Sequence, residues 1–244
     1  MDGFDITHAP PAYRSIEPIV NIFVLGMGLG WVINYIGMVY ISFKEQTYAM
    51  AILPLCCNIA WEIVFGVIHH QNRLESTVIQ TGMVLNLAIM YSAIKCSPNE
   101  WAHAPLVQRN LPGIFFLGVA GFFTGHLALV AELGPGLAYS YGALVCQLLL
   151  SAGGLCQLLC RGRRRGASYL LWLSRFLGSC CSVGFAYLRW RYWPEAFAWL
   201  NSPIMLWALG VFVLLDGSYG VCYWYVVRYE KTVASAREQM VKSR

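Results

Sequence analysis

Charge is what this sequence has least of. Asp, Glu, Lys and Arg make up 12% of its 244 residues, roughly half the share usual in soluble domains. With hydrophobic residues at 58% and a mean hydropathy of +0.54, that scarcity argues against a soluble domain and for a polytopic membrane protein. Other absences narrow the chemistry. No P-loop and no dinucleotide glycine fingerprint occurs, so phosphate cradles of those kinds are excluded. Asp-Asp-x-x-Asp and its Asn/Ser/Glu companion are missing, which excludes magnesium-diphosphate ionisation in the soluble-synthase manner; Asp-x-Asp-Asp is missing as well. No lysine lies in the last apolar segment, so a retinal Schiff base there is excluded; short loops without Asp-Arg-Tyr or Asn-Pro-x-x-Tyr weaken a receptor reading. The nine cysteines, nearly all inside apolar runs, form neither a disulfide framework nor a CxxC…CxxC metal site. They read as small core residues. Residues 1–18 carry acids and prolines where a signal peptide has its basic region, so no cleavable leader is expected. The net charge of +5 is not a nucleic-acid signature, because basic residues gather at segment ends and in the tails.

What the chain does have is seven apolar runs. They imply an all-α membrane protein, a seven-transmembrane helix bundle forming one domain over 1–244, with spans at about 19–43, 48–70, 76–94, 111–131, 137–160, 167–187 and 204–227. Pro54 is expected to kink the second span, Glu132 to Gly136 to turn the chain between the fourth and fifth, and 189–203 to form an aromatic interfacial loop. Arg14, Arg73, Arg189 and Arg191 fall on the N-terminal side. Lys44, Lys95, Arg109, Arg161, Arg163, Arg164, Arg165, Arg228, Lys231, Arg237, Lys242 and Arg244 fall on the other. Four against twelve puts the 228–244 tail in the cytosol and the N-terminus in the lumen, with the endoplasmic reticulum as the expected membrane.

Two acids interrupt these runs: Glu62 in the second and Asp216 in the last. An ionised carboxylate at a bilayer centre costs about 2.5–3.5 kcal/mol on insertion scales, so each marks a candidate site. From the expected span ends the two differ by only about 6 Å in depth, at a rise of about 1.5 Å per residue. They are therefore able to share a chamber, where two carboxyls rarely ionise together and one serves as a neutral acid. The bland alternative is a structural acid satisfied by polar neighbours. Asn58, Trp61 and Phe65 surround Glu62, and Phe212, Tyr219 and Tyr223 surround Asp216, at helical spacing; Trp31, Asn34 and Tyr35 come from the first span. Aromatic faces attract cations by about 0.5–2 kcal/mol each, so such a pocket suits carbocation chemistry, although any single ring serves equally as packing. Asn86, Thr124, His126 and Gln147 either line the site or bond between helices. Arg175 is expected to snorkel.

Trp61-Glu62 and Asp216-Gly217 on a seven-span chain resemble the small integral-membrane terpene cyclases of fungal meroterpenoid pathways, and are most similar to the paxilline/paspaline-type indole-diterpene branch. The likeness runs through nearly the whole chain, including 23–35, 53–62, 134–139 and 199–203. The resemblance implies a substrate made elsewhere: a geranylgeranyl-indole whose terminal alkene a flavin monooxygenase has epoxidised, after a prenyltransferase built the chain. It implies that Glu62 and Asp216 protonate the epoxide or support that step; Trp61 and Phe65, which flank Glu62 and would shield its neutral form, make it the favoured donor, with Asp216 orienting it or exchanging roles. Sequential attack by alkenes then gives a polycyclic indole diterpene. Neither metal nor organic cofactor is implied; membrane lipid is the other partner. A rival of a different class is a proton-coupled transporter using the same acids, which needs discontinuous helices in two related halves. The Gly-Pro and Pro signals do not repeat in that way.

Overall fold

The computed structural model describes residues 6–69, 73–96 and 98–242. The first five residues, the expected end of the second span at 70 and the last two tail residues lie outside them. Among the described residues every regular element is helical and no strand occurs. In lipid, backbone N–H and C=O groups must be satisfied within the segment, and helices achieve that. α1 (Pro11–Glu45), α3 (Arg73–Cys96), α4 (Pro105–Arg161), α5 (Tyr169–Tyr192) and α7 (Pro203–Lys242) contain stretches long and apolar enough to cross a membrane. α2 (Ile52–Ile63) is shorter and continues as a π-helical turn, Val64–Ile68. α6 (Pro194–Phe197) is a single turn before a 3-10 turn, Ala198–Asn201.

The 57 residues of α4 are two helices. Gly134 breaks them with φ 75° and ψ 158°, which a residue bearing a Cβ resists. Pro135 then opens the second arm, where a missing N–H costs nothing. The arms, 105–133 and 135–161, fold back on each other. His126 and Gly142, equally far on either side of Gly134, are neighbours: a Cβ on Gly142 would sit 3.1 Å from His126 Nδ1. The expected turn is thus a hinge centred on one glycine.

α2 packs between these arms. Cys56 Sγ lies 3.9 Å from the Phe115 carbonyl on the first, and Pro54 meets Gly153 on the second. α1 and α5 approach almost backbone to backbone, since a Cβ on Gly30 would fall 2.8 Å from Gly178 Cα. Small residues permit such contacts between membrane helices. Asn34 secures the pair by donating from Nδ2 to the Leu171 carbonyl at 2.6 Å.

Most helices overrun the expected spans. Pro11 sits in the first turn of α1, so the polar stretch 11–18 is helical and carries Pro18 inside it. α2 starts at Ile52, which puts Pro54 in its first turn, where no intrahelical N–H bond is lost; the expected kink does not form. α3 begins early enough to include Glu75, and α5 late enough to include Arg189. The tail continues α7 as helix to Lys242. The arginine-rich turn after α4 is bound rather than free. Arg161 and Arg165 pair with Glu100 at 3.3 and 2.9 Å, Arg164 pairs with Glu230 at 3.1 Å, and Arg161 lies over the Tyr48 ring at 4.1 Å.

Candidate active site

A cavity of about 480 Å³ opens within the bundle, lined by α1, α2, α3, the second arm of α4, α5 and α7. Among the described residues the first arm of α4 contributes nothing to its wall. Each helix presents one face at helical spacing: Met27, Trp31 and Tyr35 from α1, Asn58, Trp61 and Glu62 from α2, Val78 and Gly82 from α3. Phe212 reaches in from α7, and Phe197, Trp199 and Leu200 close the end nearest the N-terminus. The wall is mainly apolar and aromatic, as small-molecule sites are.

Glu62 lines this cavity and is 4% exposed. Its Oε1 accepts a hydrogen bond from Asn86 Nδ2 at 2.7 Å. Its Oε2 is buried and has no hydrogen-bond partner among the described residues, and the same holds for Asn86 Oδ1. Gly82 makes room for the carboxyl, because a Cβ there would sit 2.8 Å from Oε1. Asn58 and Tyr35 complete the polar patch, Asn58 Nδ2 donating to the Tyr35 hydroxyl at 3.4 Å. Trp61 Nε1 donates to the Tyr139 carbonyl at 3.0 Å, which fixes that indole in the wall. The Trp31 and Tyr35 rings lie 5.4 Å apart on the facing helix.

Asp216 has a different environment. It is fully buried, does not line the cavity, and accepts from Arg175 Nη2 through Oδ1 and from Ser151 Oγ through Oδ2 at 2.5 Å. Arg175, expected to snorkel, is instead 4% exposed and pointed inward; Asp216 supplies the countercharge and the Tyr219 ring lies 5.2 Å from its guanidinium. A polar chain leads from Asp216 to the cavity. Gln147 Nε2 donates to Ser151 Oγ at 3.0 Å, and Ser179 Oγ donates to Gln147 Oε1 at 2.8 Å. Both Gln147 and Ser179 are wall residues.

The structure therefore gathers Trp31, Tyr35, Asn58, Trp61, Glu62 and Phe212 around one cavity and leaves Asn34, Phe65, Tyr219, Tyr223 and Asp216 off its wall. Asn34 ties α1 to α5. Phe65 packs behind Trp61 against Tyr139, at 5.6 and 5.7 Å. Tyr219 and Tyr223 stack beneath Arg175, the Tyr223 hydroxyl donating to the Ala167 carbonyl at 3.2 Å. Asn86 and Gln147 join the site networks, whereas Thr124 is exposed and bonds its own helix. Sequence reasoning missed one buried pair on the wall, Glu75 and Arg189, where Arg189 Nη2 donates to Glu75 Oε1 at 2.6 Å. Both fell outside the expected spans, so neither counted as an intramembrane charge.

Three further residues can hold a soft cation. Cys57, His126 and Cys146 are all buried, and their ligand atoms lie within 4.8 Å of one another. Cys57 Sγ is 3.7 Å from His126 Nε2 and 3.5 Å from Cys146 Sγ. Two thiolates and an imidazole are a zinc-type donor set; two thiols sharing weak hydrogen bonds with an imidazole satisfy the same geometry without an ion.

Comparison with known proteins agrees with this architecture. The Pyr4-like transmembrane terpene cyclase family matches residues 4–229. Terpene cyclase janB of Penicillium janthinellum is 68% identical over 238 residues, covering 97% of this chain and 98% of the relative. Terpene cyclase ptmB of Penicillium ochrochloron is 65% identical over 243 residues, covering 99% and 100%. Terpene cyclase paxB of Penicillium paxilli is 61% identical over 234 residues, covering 96% of each. Matches that run nearly end to end, on an all-helical chain with an acid in an aromatic cavity, leave one assignment: this chain belongs to the Pyr4-like transmembrane terpene cyclases.

Proposed function

We propose that this enzyme cyclises an epoxidised geranylgeranyl-indole by protonating its epoxide, with Glu62 as the acid. The observation that carries this reading is the state of the acids on the cavity wall. Glu75 is held by Arg189, whereas Glu62 has one amide partner and a second oxygen that meets none among the described residues. An ionised carboxylate only accepts hydrogen bonds, and Oε2 has no donor among the described residues. A proton on Oε2 supplies one, and it is a proton the substrate can take.

In the reaction, that proton goes to the epoxide oxygen, the C–O bond to the more substituted carbon breaks, and a tertiary cation forms. The π electrons of the next alkene close the first ring and move the cation onward. Loss of a proton ends the sequence, so substrate and product are isomers. Trp31, Tyr35, Trp61 and Phe212 put aromatic rings on the wall around the migrating charge, and a ring whose face meets a cation is worth about 0.5–2 kcal/mol. Asp216 pairs with Arg175 and positions Ser151 and Gln147, and through them the wall. No metal is needed for ionisation by this route. The names of janB, ptmB and paxB as terpene cyclases support a terpenoid substrate and do not favour the transporter. We place the enzyme in the endoplasmic reticulum, crossing seven times with its N-terminus lumenal and C-terminus cytosolic. There it receives substrate from a prenyltransferase and a flavin monooxygenase and releases a paspaline-type product.

The test is to feed epoxygeranylgeranyl-indole to microsomes that hold this protein and analyse products by mass spectrometry and NMR. A product of unchanged mass with fewer olefinic protons is expected. Recovery of the epoxide alone, with proton-dependent uptake in reconstituted vesicles, would favour the transporter instead.

A further inference from the structure

α5 and α7 close on each other over only part of their length. Phe176 stacks on Phe212 at 5.8 Å, and one turn on Trp172 Nε1 donates to the Asp216 carbonyl at 2.9 Å. Gly220 then lets the α7 backbone press against the Trp172 ring. Toward the end of α5 and the start of α7, cavity-lining residues replace these contacts: Val183, Ala186, Tyr187 and Trp190 on one side, Leu206 and Leu209 on the other. Two of them also face outward, with Tyr187 57% exposed and Leu206 52% exposed. Tyr187 continues the outward stripe that Leu173 and Leu177 begin on α5, and Leu206 the stripe of Val213 and Leu214 on α7. A side chain that belongs to both the cavity wall and the lipid-facing stripe marks a breach in the bundle.

Among the described residues, buried side chains cover much of each end of the cavity. Near the N-terminus, Ala9, Tyr13, Trp193 and Phe197 form a buried apolar cluster over its end. At the opposite end, buried Leu150 and Phe212 close its floor, with the Ser151–Asp216–Arg175 network beyond them. We propose that the gap between α5 and α7 is a lateral portal, through which the isoprenoid chain of the substrate passes from the leaflet on the N-terminal side into the cavity. This rests on the reading of that cavity as a prenyl-chain site. The rim residues named above are uncharged and continuous with the apolar wall, which fits an isoprenoid chain and no charged solute. A chain that slides in from hydrocarbon never has to be hydrated, so the route avoids the cost of bringing each CH2 group into water.

A diazirine-bearing geranylgeraniol tests this in microsomes, with adducts mapped by mass spectrometry. Labelling is expected on Tyr187, Leu206 and Leu209, falling at least tenfold in Leu206→Trp, which plugs the gap, and rising in Tyr187→Ala, which widens it. With the epoxide substrate, Leu206→Trp should lower kcat/KM about tenfold, while Leu214→Trp, a lipid-facing control below the stack, leaves it unchanged. Equal labelling of Leu177, Leu214 and Leu206, or labelling and kcat/KM in Leu206→Trp within twofold of the parent, would overturn the portal. Portal labelling without any cyclised product would keep the portal and remove the cyclase reading. Cyclisation with labelling elsewhere would do the reverse.

Discussion

Asp216→Asn should inactivate this protein for a structural reason. The change neutralises the partner of an arginine whose side chain is 5% exposed, in a pair whose acid is 0% exposed. Breaking a buried pair by removing one charge costs about 3–5 kcal/mol, because the other is left uncompensated. That is a large share of the roughly 5–15 kcal/mol that holds a typical fold. The second change to make is Arg175→Met in the same chain. The amide oxygen of Asn at 216 still accepts from Ser151, the Trp172 bond to the 216 backbone is untouched, and no bare charge remains. Unfolding of the detergent-solubilised protein and turnover of the epoxide are measured for wild type, the single variant and the double. The single variant should lose about 3 kcal/mol or more, and the double should return to within about 1 kcal/mol of wild type. The double variant should also regain at least about a tenth of wild-type turnover, since a pair that only positions the wall gives up less than the factor of about 100 or more expected of a proton donor. A double variant as stable as wild type yet as inactive as Asp216→Asn would refute the reasoning and make Asp216 a reacting group.

Three further outcomes are expected. Gly82→Ala places a methyl 2.8 Å from Glu62 Oε1 and must displace the acid. Since a misplacement of about 1 Å can cost about 100-fold in rate, kcat should fall by about tenfold or more with insertion intact; an unchanged kcat would show that the position of the acid is not critical. Glu100→Gln removes the acid shared by Arg161 and Arg165, and charged hydrogen bonds of this kind are worth about 1.5–3 kcal/mol each. The melting temperature should drop, less so at high salt, while turnover at low temperature holds; an unmoved melting temperature would contradict the staple. Chelation by EDTA and phenanthroline should leave cyclisation intact, and purified protein should carry no stoichiometric metal by elemental analysis. One zinc per chain, lost together with activity in Cys57→Ser or His126→Asn, would make the Cys57–His126–Cys146 cluster a metal site.

The helices were legible because lipid imposes a pattern that hydropathy reveals directly, and Glu62 because an acid inside an apolar run cannot be mistaken for surface. The missing features depend on pairings between distant positions. Arg175 looked like a snorkelling cation because its counterion, Asp216, comes 41 residues later on another helix. Glu75 and Arg189, 114 apart in sequence, each sat at the edge of an apolar run, where a charge needs no explanation until the partner is seen. Cys57, His126 and Cys146 follow no motif spacing because the Gly134 hinge, not sequence proximity, brings the last two together. Pro54 misled in the other direction. A proline suggests a kink only when the helix start is known, and here it lies in the first turn.

The most direct test of the central claim is turnover of epoxygeranylgeranyl-indole by Glu62→Gln, with membrane insertion and melting checked in parallel. Glutamine keeps the shape and the acceptor for Asn86 but holds no transferable proton. The account predicts insertion and melting close to wild type and a loss of about 100-fold or more in rate, the contribution usual for a positioned general acid. A rate within threefold of wild type would contradict it.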